Sequence, residues 1–127
     1  MSARIGKRFN FEAAHFLDGL AEGHKCGRLH GHSYTVEIVL TATQLSGPGF
    51  IADFADLQPV KKHLDEVYDH KVLNEVIDVE PTSENLARVL FDWCTAHVPL
   101  PETAAVEAVR VSETPATWAE YRPEPAP

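Results

Sequence analysis

Two stretches with a period of two commit this chain to a sheet. Along residues 4–16, Ile5, Phe9, Phe11, Ala13 and His15 fall on one side, the pattern of a strand that buries one face. Residues 32–43, HSYTVEIVLTAT, are rich in β-branched and aromatic types and place His32, Tyr34, Val36, Ile38 and Leu40 together. Each stretch carries histidine at the end nearest the other. If the two pair antiparallel, the end of one lies beside the start of the next, and His15 meets His30 and His32.

The remainder has helical and then strand character. SGPG at 46–49 marks a turn. From Asp56 the spacing of Leu57, Val60, Leu64, Val67 and Tyr68 predicts a helix, with Pro59 tolerated in its first turn. A second helix starts at Thr82 or Ser83, either of which can cap it. It carries Leu86, Val89, Leu90, Trp93, Cys94 and His97 on one stripe and stops before Pro99. VEAVRVSE at 106–113 reads as a strand and TWAEY at 117–121 as a shorter one, while the tail RPEPAP at 122–127 reads as disordered. The expected architecture is α+β in the order ββααββ, a single domain over residues 1–121 without repeats or linkers.

With 44% apolar and 24% charged residues the composition is that of a soluble globular domain, and 127 residues suffice for one core. A net charge of −8 argues against a nucleic-acid or anionic-membrane surface, which needs clustered cations. An anionic small molecule needs only a local patch, to which Lys25 and Arg28 can contribute. The N-terminal MSARIGKRF lacks the apolar run of a signal peptide, and no segment approaches membrane-spanning length. Two cysteines make no disulfide framework, so a reducing cytoplasm is the expected setting.

KCGRLHGH at 25–32 crowds a thiol, two imidazoles and two cations into eight residues. Residues i and i+2 of a strand point the same way, so His30 and His32 can face one metal, and Gly31 between them lets the backbone bend. With His15 they make three imidazoles and an open fourth position, the arrangement of catalytic zinc. A single histidine on an apolar face is more often a satisfied core residue; the convergence of three favours zinc. His24 competes as third ligand, whereas His63 and His97 fit helix positions as structural residues. Cys26, between Lys25 and Arg28, suits a base or nucleophile, or a fourth ligand that would close the site. Cys94 sits on the apolar stripe as packing. Asp69 beside His70 can hold a tautomer for proton transfer, or be a solvated helix end. Glu113 keeps the inward parity of Val109 and Val111, an awkward place for an acid without a partner. Glu84 suits a helix N-terminus through the dipole.

FNFEAAH, GHKCGRLHGHSY, DFADL, DHKVLN, PTSENLA and VRVSET, in this order, resemble the bacterial, queuosine-pathway branch of the 6-pyruvoyltetrahydropterin synthase family, over nearly the whole chain to about Tyr121. The resemblance implies the tunnelling (T-) fold, a four-stranded antiparallel sheet with two helices on one face. It also implies homotrimers or hexamers with active sites at subunit interfaces. Carried over by motif, His15, His30 and His32 bind zinc and Cys26 is the general base. Asp69 and His70 form a second proton-transfer unit, and Glu113 belongs to the relay or anchors the pterin. Glu84, with Thr82 and Ser83, holds the pterin ring. The implied reaction converts 7,8-dihydroneopterin triphosphate to 6-carboxytetrahydropterin with release of acetaldehyde and triphosphate, and Lys25, Arg28 and Lys71 are candidates to screen the phosphates. A pyruvoyl-forming synthase and a non-catalytic metal- or pterin-binding module are the alternatives.

Overall fold

A computed structural model describes residues 3–124. The two alternating stretches become β1, Arg4–His15, and β2, His30–Ala42, paired antiparallel along their whole length from Arg4 opposite Thr41 to His15 opposite His30. A first helical segment is followed by β3, Lys71–Val72; then come α2, Ser83–His97, β4, Ala104–Ser112, and β5, Ala119–Tyr121. The sheet order is β3-β1-β2-β4-β5.

The sheet has five strands and is mixed, where four antiparallel strands were expected. The four expected strands are antiparallel to their neighbours; the additional β3 runs parallel to β1 through Ala13–Lys71 and Ala14–Val72. A strand of two residues has no periodicity to read. It exists because the Glu12 carbonyl accepts from the His70 N–H at 2.6 Å and lays the chain beside β1.

The first helix is also more composite than its spacing predicts. Asp53 caps a 3₁₀ turn, Phe54–Leu57, through Ala55 N–H, and the α-helical part, α1, is only Gln58–His63. Leu64–Tyr68 then widens into a π turn closed by Asp69 N–H on the Leu64 carbonyl at 2.9 Å. The extra residue in that turn rotates Val67 outward to 36% exposure while Leu64 and Tyr68 stay inside.

Both helical segments cover one sheet face, as expected. Phe11, Tyr34, Val36, Ile38, Val109 and Val111 from the strands pack with Leu57, Leu64, Tyr68, Leu86, Leu90 and Cys94 in one core. Each fully buried leucine there contributes about 1.5–3 kcal/mol. The opposite face is polar: Glu37 pairs with Arg8 at 2.9 Å and with Arg110 at 3.6 Å, and Arg110 reaches Glu120 at 2.8 Å. His63 and His97 stack on Trp93 at 3.8 and 4.7 Å, so both take the packing roles foreseen for them. Of the 122–127 tail, residues 125–127 lie outside those described. Among the described residues no helix is long and apolar enough to cross a membrane.

Candidate metal centre and active site

The register of β1 on β2 builds the centre. His15 sits directly opposite His30, and Ala13 opposite His32, so three inward-facing imidazoles meet at one end of the sheet. Their ring centroids are 4.6–5.1 Å apart and nearly edge-to-face, and one nitrogen from each lies within 4.8 Å of the others. His15 is fully buried.

Backbone carbonyls aim the rings. The Pro81 carbonyl accepts from His15 Nδ1 at 2.7 Å, with the Tyr34 hydroxyl 3.3 Å from the same nitrogen, and the Arg28 carbonyl accepts from His30 Nδ1 at 2.6 Å. A carbonyl can only accept, so each of these Nδ1 atoms carries a proton, and in the neutral tautomer the lone pair is left on Nε2. Burial, and then the neighbouring His15 and His30, hold the His32 ring below its ordinary pKa against the opposing pull of Glu113. That lowering favours the neutral ring, the form that can offer a lone pair.

Nε2 of His15 and of His32 are buried without a hydrogen-bond partner. Leaving such a group unsatisfied costs about 1–3 kcal/mol, a cost that a coordinated cation removes. Three converging imidazoles, two of them with Nδ1 held by a backbone carbonyl, fit a zinc-type divalent cation.

The other predicted residues group around this centre unevenly. Glu113 lies against it, with Oε2 3.5 Å from His32 Nε2, Oε1 3.9 Å from His15 Nε2, and a hydrogen bond from Ser83 Oγ at 2.9 Å. Asp69 Oδ1 accepts from Glu12 N–H at 2.8 Å, and Oδ2 accepts from His70 Nδ1 at 2.7 Å. The Glu12 amide, and then His70, hold the Asp69 carboxyl below the usual range. Its stabilising effect is therefore present above the ordinary carboxyl pKa and fades as pH falls through the lowered folded value. His70 takes a left-handed φ of 60°, which presents its ring to solvent at the sheet edge.

Asp69, His70 and Glu113 share a groove of about 910 Å³, and His32 and His70 line a second of about 500 Å³. Glu84, Ser83 and Glu113 border a third of about 570 Å³. Thr82 is committed as the α2 cap, its hydroxyl accepting from Asn85 N–H. His24 is likewise engaged locally, accepting from Cys26 N–H at 3.0 Å.

Cys26 is half-buried and outside both the donor set and these three grooves. Cys94 is 1% exposed, and burial pushes its thiol up to about 12. Iodoacetamide at pH 8 is expected to add one carbamidomethyl group to the native protein, on Cys26, and a second only after denaturation. Intact-mass spectrometry reads this directly.

The Gly31 backbone needs no glycine. It lies in regular strand opposite Ala14, and a Cβ there would meet only the Ala13 carbonyl oxygen at 3.7 Å, an ordinary contact. The bend expected of it is absent. Gly31→Ala should be neutral or stabilise by up to about 1 kcal/mol, read as an unchanged or raised Tm.

The model of the family described as 6-pyruvoyl tetrahydropterin synthase matches residues 4–124. The chain belongs to that family. It is 34% identical to a 6-carboxy-5,6,7,8-tetrahydropterin synthase of Bacillus subtilis, covering 97% of this chain and 87% of that one. To the Synechocystis protein of the same name it is 39% identical, covering 92% and 91%. The 6-pyruvoyl tetrahydropterin synthase structure from Caenorhabditis elegans superposes with a TM-score of 0.82 at 23% identity, covering 98% of this chain and 97% of that chain, a likeness of fold.

Three features of the family member's site escape a reading of side-chain types. The Pro81 and Arg28 carbonyls are backbone groups and leave no mark in a motif. Tyr34 did carry a signal, sharing the inward parity of His32, yet reads as an ordinary core aromatic. Burial, and then the Glu113 charge, push its phenol above the ordinary range, so it stays protonated.

Proposed function

We propose that this chain is a zinc-dependent 6-carboxy-5,6,7,8-tetrahydropterin synthase, a carbon–carbon lyase acting on 7,8-dihydroneopterin triphosphate in queuosine or 7-deazapurine synthesis. The single observation that carries the reading is the convergence of His15, His30 and His32 with their Nε2 lone pairs turned inward. The names of relatives similar along nearly the whole chain support the choice of product. Zinc, when bound, supplies Lewis acidity toward a side-chain oxygen of the pterin and makes adjacent protons easier to remove.

The chain's own groups do the rest. Asp69 accepts a hydrogen bond from His70 Nδ1–H and so fixes its tautomer, leaving Nε2 to exchange a proton with the substrate side chain. Cys26 is the base on the other side of that side chain. Glu84, exposed on the first turn of α2, can accept two parallel hydrogen bonds from the pterin ring. Together these groups promote elimination of triphosphate and retro-aldol release of acetaldehyde. Cys26 stands outside the three grooves described above, and on this reading a homotrimer or hexamer completes the site. A cytoplasmic setting suits the two unpaired thiols.

The test is product analysis. Incubating the zinc-loaded protein with 7,8-dihydroneopterin triphosphate should give acetaldehyde and 6-carboxytetrahydropterin in equal amounts by mass spectrometry. A pyruvoyl pterin without acetaldehyde would instead favour the other branch of the family, and an unchanged substrate would favour a binding module.

A further inference from the structure

β3 runs past β1 in parallel with Val72 opposite Ala14, and two residues further on Asn74 comes beside Phe16. There the backbone leaves the ladder for a 3₁₀ turn, Leu73–Glu75, anchored by the fully buried Leu73. The Asn74 side chain takes over where the ladder stops. Its Oδ1 accepts from Phe16 N–H at 3.0 Å and its Nδ2 donates to the Phe16 carbonyl at 2.9 Å. One half-buried amide thus satisfies both backbone groups of the residue after His15. The next residue passes the hold on, because Leu17 N–H donates to the Cys26 carbonyl at 2.9 Å. Cys26 N–H in turn donates to His24 Nδ1 at 3.0 Å. Residues 16–29 join β1 to β2 as a loop around the 3₁₀ turn Lys25–Gly27, and all of them are exposed except Phe16, Leu17 and Cys26. Those three are the residues that this series of bonds joins.

We propose that Asn74 is a positioning residue: its amide fixes the exit of β1 and, through Leu17, sets Cys26 relative to His15. The inference rests on the role of base given to Cys26 above. A loop this exposed has little apolar packing to hold it, so its geometry depends on these backbone bonds. Displacing a catalytic group by about 1 Å can cost about 10²-fold in rate, even from a substitution remote from the chemistry. His15 is held independently, by its pairing with His30 and by the Pro81 carbonyl. Releasing the loop should therefore leave the metal bound.

Zinc-loaded wild type, Asn74→Ala and Asn74→Asp test this by iodoacetamide labelling at pH 8, with Cys26 and Cys94 followed separately by peptide mapping. Metal content and turnover of 7,8-dihydroneopterin triphosphate are measured on the same samples. Asn74→Ala should label Cys26 about tenfold faster while the buried Cys94 stays unlabelled, because the release is local. It should keep about one zinc per chain and lose about 10–100-fold in kcat, with KM within about threefold. An amide that merely stabilises the fold would, when removed, expose both thiols together, and that result would overturn the positioning role. Should Asn74→Ala fail to fold by circular dichroism, Asn74→Asp carries the test. It keeps the acceptor for Phe16 N–H, cannot donate to the carbonyl, and should also label Cys26 faster. Cys26 labelling or kcat within about twofold of wild type in the folded variants would overturn the proposal and leave the catalytic reading standing. A wild type that forms no product would overturn that reading and the positioning role with it.

Discussion

His15→Ala is expected to strip the protein of zinc and take turnover to background. The side chain is fully buried, its Nδ1 is held by the Pro81 carbonyl, and its partner across the strand pair is His30. Removing it leaves two imidazoles, too few to hold the ion against water, so metal content should drop from about one per chain to below about a tenth. Without the Lewis acid the reaction loses several kcal/mol of charge stabilisation, about a thousandfold in rate or more. His97→Ala is the matched control. Its ring stacks on Trp93, away from the donor set, and its loss should leave metal content and turnover unchanged. Metal analysis, circular dichroism and turnover on the two variants make the comparison.

Asp69→Asn should keep the zinc and lose about 10²–10⁴ in turnover. The carboxylate accepts two hydrogen bonds at once, from Glu12 N–H and from His70 Nδ1. An asparagine has one acceptor oxygen, so it can satisfy the backbone or the imidazole, not both. The His70 ring then loses its fixed tautomer while the three proposed metal ligands are untouched. Cys26→Ala should behave alike, with metal retained and turnover reduced by about 10²–10⁴, because the proposed base is lost and no proposed ligand is. The ratio of turnover to metal content separates both variants from His15→Ala. If Cys26→Ala instead lost zinc and stability together, the sulfur would be a structural ligand.

The main strands and the histidine centre were legible for one reason: period-two patterning fixes facing as well as strand identity. Residues 4–16 and 32–43 fold as Arg4–His15 and His30–Ala42, and parity alone turns His15, His30 and His32 inward to the same end. The capped start of α2 at Thr82 and the burial of Cys94 followed from equally local rules. What the sequence concealed depends on backbone contacts between distant segments. β3 is held by bonds from Glu12 to Asp69 and His70, 57 residues or more along the chain, and two residues of strand show no pattern. The π turn breaks the helical period between Leu64 and Tyr68, so Val67 turns outward despite its spacing. Glu113 read as an acid in need of a partner; only the fold reveals that two of the three clustered imidazoles stand beside it.

X-ray absorption at the zinc edge of the loaded protein addresses the centre most directly. Three nitrogen scatterers at about 2.0–2.1 Å with light oxygen donors completing the shell, and no sulfur, are the expected result. A sulfur shell at about 2.3 Å would place Cys26 on the metal, close the position that substrate must enter and contradict the catalytic centre described above.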